Sequence, residues 1–180
     1  RNNGSIMANT FEQIATVTVG SGGASSIDFN SIPQTYTDLC LKISLRSPRT
    51  ANWTDYPLIS VNGSTANQSL IWFNGNGAAA SSGTDTIFEW IVGSTGSGGT
   101  QWTANAFSND EIYFPNYTSS NNKSMSGNFA VEQNNTTAYL SMHSWRWSST
   151  AAITSLSITN QYGLNWVQYS TATLYGIKNS

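Results

Sequence analysis

The chain has 180 residues, enough for one domain with a substantial core, and only 9% of them are charged, with a formal net charge of −2 at pH 7. Such a balance has no electrostatic footprint for DNA, RNA or an anionic membrane. A single cysteine rules out an intrachain disulfide framework, and no apolar run approaches the roughly 20 residues that a membrane helix needs. The composition therefore predicts a soluble protein with no nucleic-acid partner and no membrane insertion.

Aromatic residues reach 12% of the chain, and serine, threonine, asparagine and glycine take the place of the missing charges. Many β-formers and turn-formers with few charges are typical of an all-β protein. No helical period is visible, and short strand-like segments recur at near-regular spacing. The pattern predicts an all-β fold, an antiparallel β-sandwich that is jelly-roll-like and has about 9–10 strands.

Residues 1–6 precede Met7, and we interpret them as a tag remnant or N-terminal extension; residues 7–180 are predicted to form a single β-sandwich domain. A short extended piece is expected at Ile27–Phe29. The predicted strands are Glu12–Val19, Leu39–Leu45, Pro57–Val61, Ser69–Phe73, Thr84–Val92, Asp110–Phe114, Met125–Val131, Thr137–Trp147, Ala151–Thr159 and Thr171–Ile177.

Apolar and polar residues alternate most cleanly in the predicted strand Leu39–Leu45. Strict alternation is typical of a strand that buries one face, so we expect it to run through the middle of a sheet. Its two faces are Leu39, Leu41, Ile43 and Leu45, predicted to be core, and Cys40, Lys42, Ser44 and Arg46, predicted to lie away from the core.

Three connections are predicted from turn chemistry. Asn62-Gly63 is the strongest short hairpin signal, and it predicts that Pro57–Val61 pairs with Ser69–Phe73. Gly75–Gly83 is predicted to be a surface loop of small residues. Pro115–Lys123 is predicted to be a plain polar connection.

Two short stretches carry a family resemblance: F-x-SIPQTYTDL-x-L, which begins at Phe29, and TLYGIK, which ends at Lys178. They resemble small β-domains in structural proteins of tailed bacteriophages, marine ones in particular. The resemblance implies a virion component of head or tail, made in the host cytoplasm and located at the particle surface. It supplies no catalytic residues.

Candidate catalytic and metal-binding residues are few. Of the nine carboxylates only Asp110 and Glu111 are adjacent, and adjacent strand residues point to opposite faces. A glycosidase built from distant carboxylates, for instance Asp28 with Glu89, stays open because the sequence does not place them in space. With one histidine, His143, and one cysteine there is no zinc set. We therefore expect no enzyme activity, no metal and no cofactor.

The aromatic excess is the main candidate for function, because tryptophan and tyrosine suit interfaces. Tyr139, Trp145 and Trp147 share one face of a predicted strand, with Arg146 opposite, and would serve as a platform for sugars. The residues predicted to contact a partner or a glycan are Trp53, Trp102, Tyr139, Trp145, Trp147 and Trp166, and Tyr117 belongs to the same aromatic excess.

Two functional classes fit these observations. The first is a non-enzymatic virion structural protein, a capsid decoration or cement protein on the head exterior. Its partners would be the major capsid protein or other virion proteins and further copies of itself, with a trimer favoured. The second is a tail-fibre or receptor-binding module that recognises host-surface carbohydrate.

Overall fold

The computed structural model describes residues 10–49, 54–90, 92–93, 106–131 and 138–178, and these ranges contain strands and no helix. The strands are β1 (Phe11–Thr18), β2 (Ser26–Phe29), β3 (Asp38–Ser44), β4 (Thr54–Asp55), β5 (Pro57–Val61), β6 (Gln68–Gly75), β7 (Ala80–Asp85), β8 (Val92–Gly93), β9 (Asn109–Phe114), β10 (Lys123–Val131), β11 (Tyr139–Trp147), β12 (Leu156–Asn160) and β13 (Thr171–Ile177).

Eleven of these strands form two antiparallel sheets, and β4 and β8 form a small separate ladder. The wide sheet has the order β1-β13-β3-β9-β10-β11-β6-β7, and the narrow sheet has the order β2-β12-β5. Apolar side chains from both sheets form one core cluster. The predicted antiparallel β-sandwich is confirmed, with its strands divided eight to three.

The predicted central strand is confirmed as β3, which pairs with β13 on one side and β9 on the other. Leu39, Leu41 and Leu45 are completely buried and Ile43 nearly so. Cys40, in contrast, was expected away from the core and is buried. Large side chains, Tyr113 and Tyr175, stand at the positions opposite it on both neighbouring strands. Burial raises the pKa of its thiol to about 11.

The two stretches that carry the bacteriophage resemblance lie side by side in the structure. Leu39, in the first, is the register partner of Gly176, in the second. Tyr36 lies against Gly176, and its hydroxyl donates a hydrogen bond to Glu12 Oε2 at 3.0 Å. Lys178 Nζ lies 5.2 Å from the centre of the Tyr36 ring. Both stretches therefore stabilise the fold, because they join the turn that contains Tyr36 to β1 and β13.

Gly176→Ala is expected to lower the unfolding free energy by about 1–3 kcal/mol, because a β-carbon there would stand 2.3 Å from Cγ of Tyr36. In a Tyr36→Ala background the same change should be nearly neutral, which makes a double-mutant cycle in urea the decisive measurement. Gly75→Ala is the control, since a β-carbon at this strand glycine meets nothing within 4 Å. Additive effects of the two changes would contradict the packing argument.

The predicted hairpin at Asn62-Gly63 is wrong, although the tight turn exists. Both residues have positive φ, 52° and 75°, and Val61 N–H donates to the Ser64 carbonyl oxygen at 2.9 Å. The Asn62 side chain also donates to the Ala152 carbonyl oxygen at 2.8 Å and accepts from the backbone of Thr154. This docking turns the chain away, so β5 belongs to the narrow sheet and β6 to the wide one.

The loop predicted at Gly75–Gly83 is instead a hairpin between β6 and β7. The Asn76 side-chain oxygen accepts hydrogen bonds from the backbone N–H groups of Ala78 and Ala79, at 3.0 and 2.7 Å, and closes the turn. The strand predicted over Thr84–Val92 is correspondingly wrong for most of its length. β7 ends at Asp85, and irregular chain carries the buried Phe88 and Trp90 into the core.

Candidate functional site

The aromatic residues predicted for an exposed surface are mostly core. Trp145, Trp147, Trp166 and Tyr117 expose between 0% and 5% of their surface, and Tyr139 is half-buried. Trp53 and Trp102 lie outside the described residues. The predicted shared face of Tyr139, Trp145 and Trp147 is real, but it is the core face of β11, where Phe88 and Trp90 pack against Trp145. The sugar platform predicted there is therefore wrong.

Trp145 is instead the centre of a buried aromatic cluster. Its ring lies 5.4 Å from Phe129, 5.9 Å from Phe88 and 6.4 Å from Trp90, measured between ring centres. His143 packs 5.4 Å from the same indole. These contacts hold residues 88–90 against the wide sheet and thereby fix the position of Glu89.

A cleft of about 420 Å³ lies beside this cluster, at the β7 end of the wide sheet. Its walls come from the inward face of β6, from β7, from residues 89–90, from β11 and from the chain around Tyr56 and Tyr162. Among the described residues, the narrow sheet has three strands against the eight of the wide sheet, and the cleft lies along the inner face of β6. The side chains of interest are Tyr56, Trp72, Asp85, Glu89, His143 and Tyr162.

Glu89 carries one of the buried polar atoms that have no hydrogen-bond partner among the described residues, as do Asp110 and Trp145. Its Oε2 is fully buried and has no hydrogen-bond partner within the described structure. Burial, and then the nearby Asp85 carboxylate, raise the pKa of Glu89. The backbone of Glu89 forms a bridge with Leu58 of β5, and the preceding Phe88 N–H donates to Gln68 Oε1 at 2.8 Å. The carboxyl group is therefore held in place by main-chain contacts on both sides.

His143 positions this segment and is neutral. Burial lowers its pKa to about 4, so at pH 7 the ring is uncharged and only one of its two nitrogens carries a proton. Nδ1–H donates to the Glu89 carbonyl oxygen at 3.0 Å, and Nε2 lies 2.5 Å from the Ser141 hydroxyl oxygen. The hydroxyl of Ser141 also contacts the Asn74 side chain. His143 is therefore a packed side chain of the core, with a contact at each ring nitrogen.

Two aromatic rings form the rim of the cleft. Trp72 is half-buried, and its indole lies across Gly83 on the neighbouring strand, where a β-carbon would stand 2.5 Å from ring atom Cζ2. Tyr162 is 48% exposed, and the Arg49 guanidinium stacks 3.6 Å from its ring centre. Neither ring was singled out from the sequence, because the strand pattern around Trp72 does not show which face stays open.

The carboxylate pair considered from the sequence does not form. Asp28 is exposed on β2, at one edge of the narrow sheet, whereas Glu89 bridges to β5 at the other edge. At about 4.8 Å per strand spacing the two are on the order of 14 Å apart. That exceeds the separation of roughly 5–9.5 Å that glycosidase carboxyl pairs need, so the Asp28 and Glu89 hypothesis is wrong.

The outer face of the wide sheet carries a second surface of interest, which we call the apolar sheet face. Its members are Ile71, Phe73, Leu140 and Met142, each between 50% and 60% exposed. Phe73 and Met142 are register partners on β6 and β11, and the other two lie two residues along the same strands. The four side chains therefore form one contiguous patch.

Small polar residues surround this patch. In the register of β6, β7, β10 and β11, the remaining outward positions hold serine, threonine, asparagine, alanine and glycine, and one charge, Arg146. An apolar centre with an uncharged polar rim is the anatomy of a protein interface. β6 thus separates two surfaces, with Trp72 facing the cleft and Phe73 facing the apolar sheet face.

No group of three or more histidine, cysteine, aspartate or glutamate side chains able to hold a metal ion occurs in the described ranges. Those ranges also contain no helix that could span a membrane. No protein-family model matches the chain, and neither a curated protein nor a solved structure was found that matches it.

Proposed function

We propose that this chain is a non-enzymatic structural protein of a tailed-bacteriophage virion, a capsid decoration or cement protein that assembles through the apolar sheet face. The observation that carries the proposal is the contiguous patch of Ile71, Phe73, Leu140 and Met142 on an otherwise weakly charged sheet. A stable soluble monomer rarely leaves four large apolar side chains together in water. The two bacteriophage-like stretches support the virion setting.

The occupant of this face is a further copy of the chain. The patch lies on two adjacent strands, and Arg146 is the one charge among the outward positions around it on β6, β7, β10 and β11, so symmetric packing brings no other like charges together. A trimer matches the local three-fold positions of a capsid lattice. The surface left outside this contact would meet the major capsid protein.

The double variant Phe73→Ser with Met142→Ser is expected to turn the oligomer into a monomer. Both side chains are more than half exposed, so the change removes the apolar contact between copies and leaves the core intact. Light scattering coupled to gel filtration should give about three times the 19.4 kDa chain mass for the wild type. The variant should have the mass of a single chain.

The matched control is Tyr169→Asn, which removes a 67% exposed aromatic elsewhere; asparagine tolerates the positive φ of 72° at this position. The control should keep the wild-type mass. A monomeric wild type, or a double variant that assembles normally, would contradict assembly through this face.

Position on the particle is tested by gold-labelled antibody against the chain on purified particles. Label on the heads is the expected result for a decoration or cement protein. Label on the tail would favour the second candidate, a receptor-binding module, which draws its support from the cleft around Trp72 and Glu89. Particles without label would contradict both.

A further inference from the structure

We infer that the cleft between Trp72, Tyr162 and Glu89 is a binding site for a neutral saccharide. This inference does not rest on the proposed virion role, because it concerns the opposite face of β6. It rests on three features of the cleft: its size, its aromatic rim and the two carboxyl groups in its wall.

The size suits a small ligand. A volume of about 420 Å³ lies within the range of roughly 300–1,000 Å³ typical of small-molecule sites, toward its lower end. That space accommodates a mono- or disaccharide. The walls come from six separate parts of the chain that the sandwich already holds together, so the site is formed before any ligand arrives.

The rim offers aromatic faces. An aromatic ring has a negative face, and the C–H groups on one side of a pyranose ring present weakly positive hydrogens to it. Trp72 is fixed because its other side is supported by the backbone at Gly83, and Tyr162 is fixed by the stacked guanidinium of Arg49. Supported rings lose little freedom when a sugar stacks on them.

The carboxyl groups of the cleft select hydroxyl groups. Asp85 and Glu89 both line the cleft, and carboxylate oxygens are hydrogen-bond acceptors. A sugar hydroxyl is a neutral donor that suits such acceptors. A site built to receive hydroxyls rejects analogues that lack them.

The charges of the cleft exclude acidic sugars. Its lining contains two carboxyl groups, Asp85 and Glu89, and a neutral His143, and the Arg49 guanidinium at its rim already stacks on Tyr162 and lies 3.9 Å from Asp55 Oδ1. A uronic or sialic acid would meet like charge, with that cation engaged by other groups. The ligand class is therefore a neutral hexose or N-acetylhexosamine saccharide.

The experiment is saturation-transfer difference NMR on the wild-type chain with a stated panel: glucose, galactose, mannose, N-acetylglucosamine, lactose, cellobiose and chitobiose. At least one sugar should bind saturably, with a Kd in the range of about 0.1–10 mM that a shallow cleft of this size supports. Tryptophan fluorescence should change on binding, because Trp72 lies at the contact.

Two variants test the named contacts. Trp72→Ala should weaken the binding at least tenfold, and Glu89→Gln, which keeps the shape of the side chain, should weaken it several-fold. Phe73→Ser is the matched control from the same strand and should bind sugar as the wild type does while it disrupts assembly. Circular dichroism checks that each variant is folded.

The inference is overturned if no sugar of the panel binds saturably up to about 50 mM, a concentration well above the expected Kd. It is also overturned if a sugar binds but Trp72→Ala and Glu89→Gln bind it equally well. Because the control variant separates assembly from sugar binding, failure of one proposal leaves the other intact.

Discussion

Lys123→Met is expected to lower the unfolding free energy by about 3–5 kcal/mol, one of the two largest effects that we predict for this protein. Lys123 lies on the core face of β10 with 2% of its surface exposed. Its ammonium group donates to the main-chain carbonyl oxygens of Ser119, Asn121 and Ala151, at 2.7, 2.7 and 2.9 Å. A fourth carbonyl oxygen, that of Ser149, lies at 3.5 Å.

Methionine keeps the apolar stem and removes every donor, so these carbonyl oxygens lose their partner at once. Two loops, around residues 119–121 and 149–151, would lose the group that ties them together. Thermal unfolding should show a fall in Tm of about 10 °C, since 1 kcal/mol corresponds to roughly 2–4 °C in a chain of this size.

Lys42→Met is the matched control. Lys42 Nζ lies 2.7 Å from Glu111 Oε2, but the two side chains are 53% and 46% exposed, and pairs of this kind contribute about 0–1 kcal/mol. A Lys123→Met protein whose stability falls no further than that of Lys42→Met would show that the carbonyl oxygens find water instead, and would contradict the argument.

Asp110→Asn is expected to stabilise the protein by about 2–4 kcal/mol at pH 7 and to change its stability little at pH 4. Asp110 is completely enclosed, and Oδ2 accepts hydrogen bonds from Trp90 Nε1–H at 3.0 Å and from the Ser108 hydroxyl at 2.5 Å. Oδ1 is buried with no partner in the described structure. Burial raises the pKa of this carboxyl group from 3.8 to about 8.

The sign of the pH effect follows from the proton count. Between pH 4 and 8 the unfolded chain has released the Asp110 proton while the folded chain keeps it, so stability falls as pH rises, by about 1.4 kcal/mol per unit for one proton. Asparagine has the shape of the protonated carboxyl group and no proton to lose. The gap between variant and wild type should therefore widen up to about pH 8.

Urea unfolding of both proteins at pH 4, 5.5, 7 and 8 measures this gap. His143 has the opposite dependence, because burial lowers its pKa from 6.5 to about 4 and its contribution is lost as pH falls through that range. It is present in both proteins and cancels in the difference. Stability curves that run parallel across the four pH values would contradict a protonated Asp110.

Strand patterns predicted much of the architecture. The bounds predicted for Pro57–Val61 and Thr171–Ile177 are those of β5 and β13, and the alternation around Leu41 correctly placed β3 in the middle of a sheet. Period-two alternation is local physics, since it depends only on the pleat of one strand. The same local rule correctly grouped Tyr139, Trp145 and Trp147 on one face of β11.

Local rules did not show what covers each face. Trp145 was predicted to meet sugars because aromatic residues often mark interfaces, yet it is buried, with Phe88 and Trp90 packed against it. Leu140 and Met142, which the sequence analysis passed over, are the exposed side of that strand. Small residues at Gly75–Gly83 suggested a loop, but they form an edge strand because the long β6 offers them a partner.

The sequence by itself determined the all-β class, the alternating faces, the central place of β3 and the scarcity of candidate catalytic groups. These follow from composition and from interactions between near neighbours in the chain. Only the tertiary structure decided that β5 and β6 part into different sheets, that Lys123 and Asp110 are interior, and that Trp72, Glu89 and Tyr162 meet at one cleft. Those outcomes depend on contacts between residues far apart in sequence, and no local pattern encodes them.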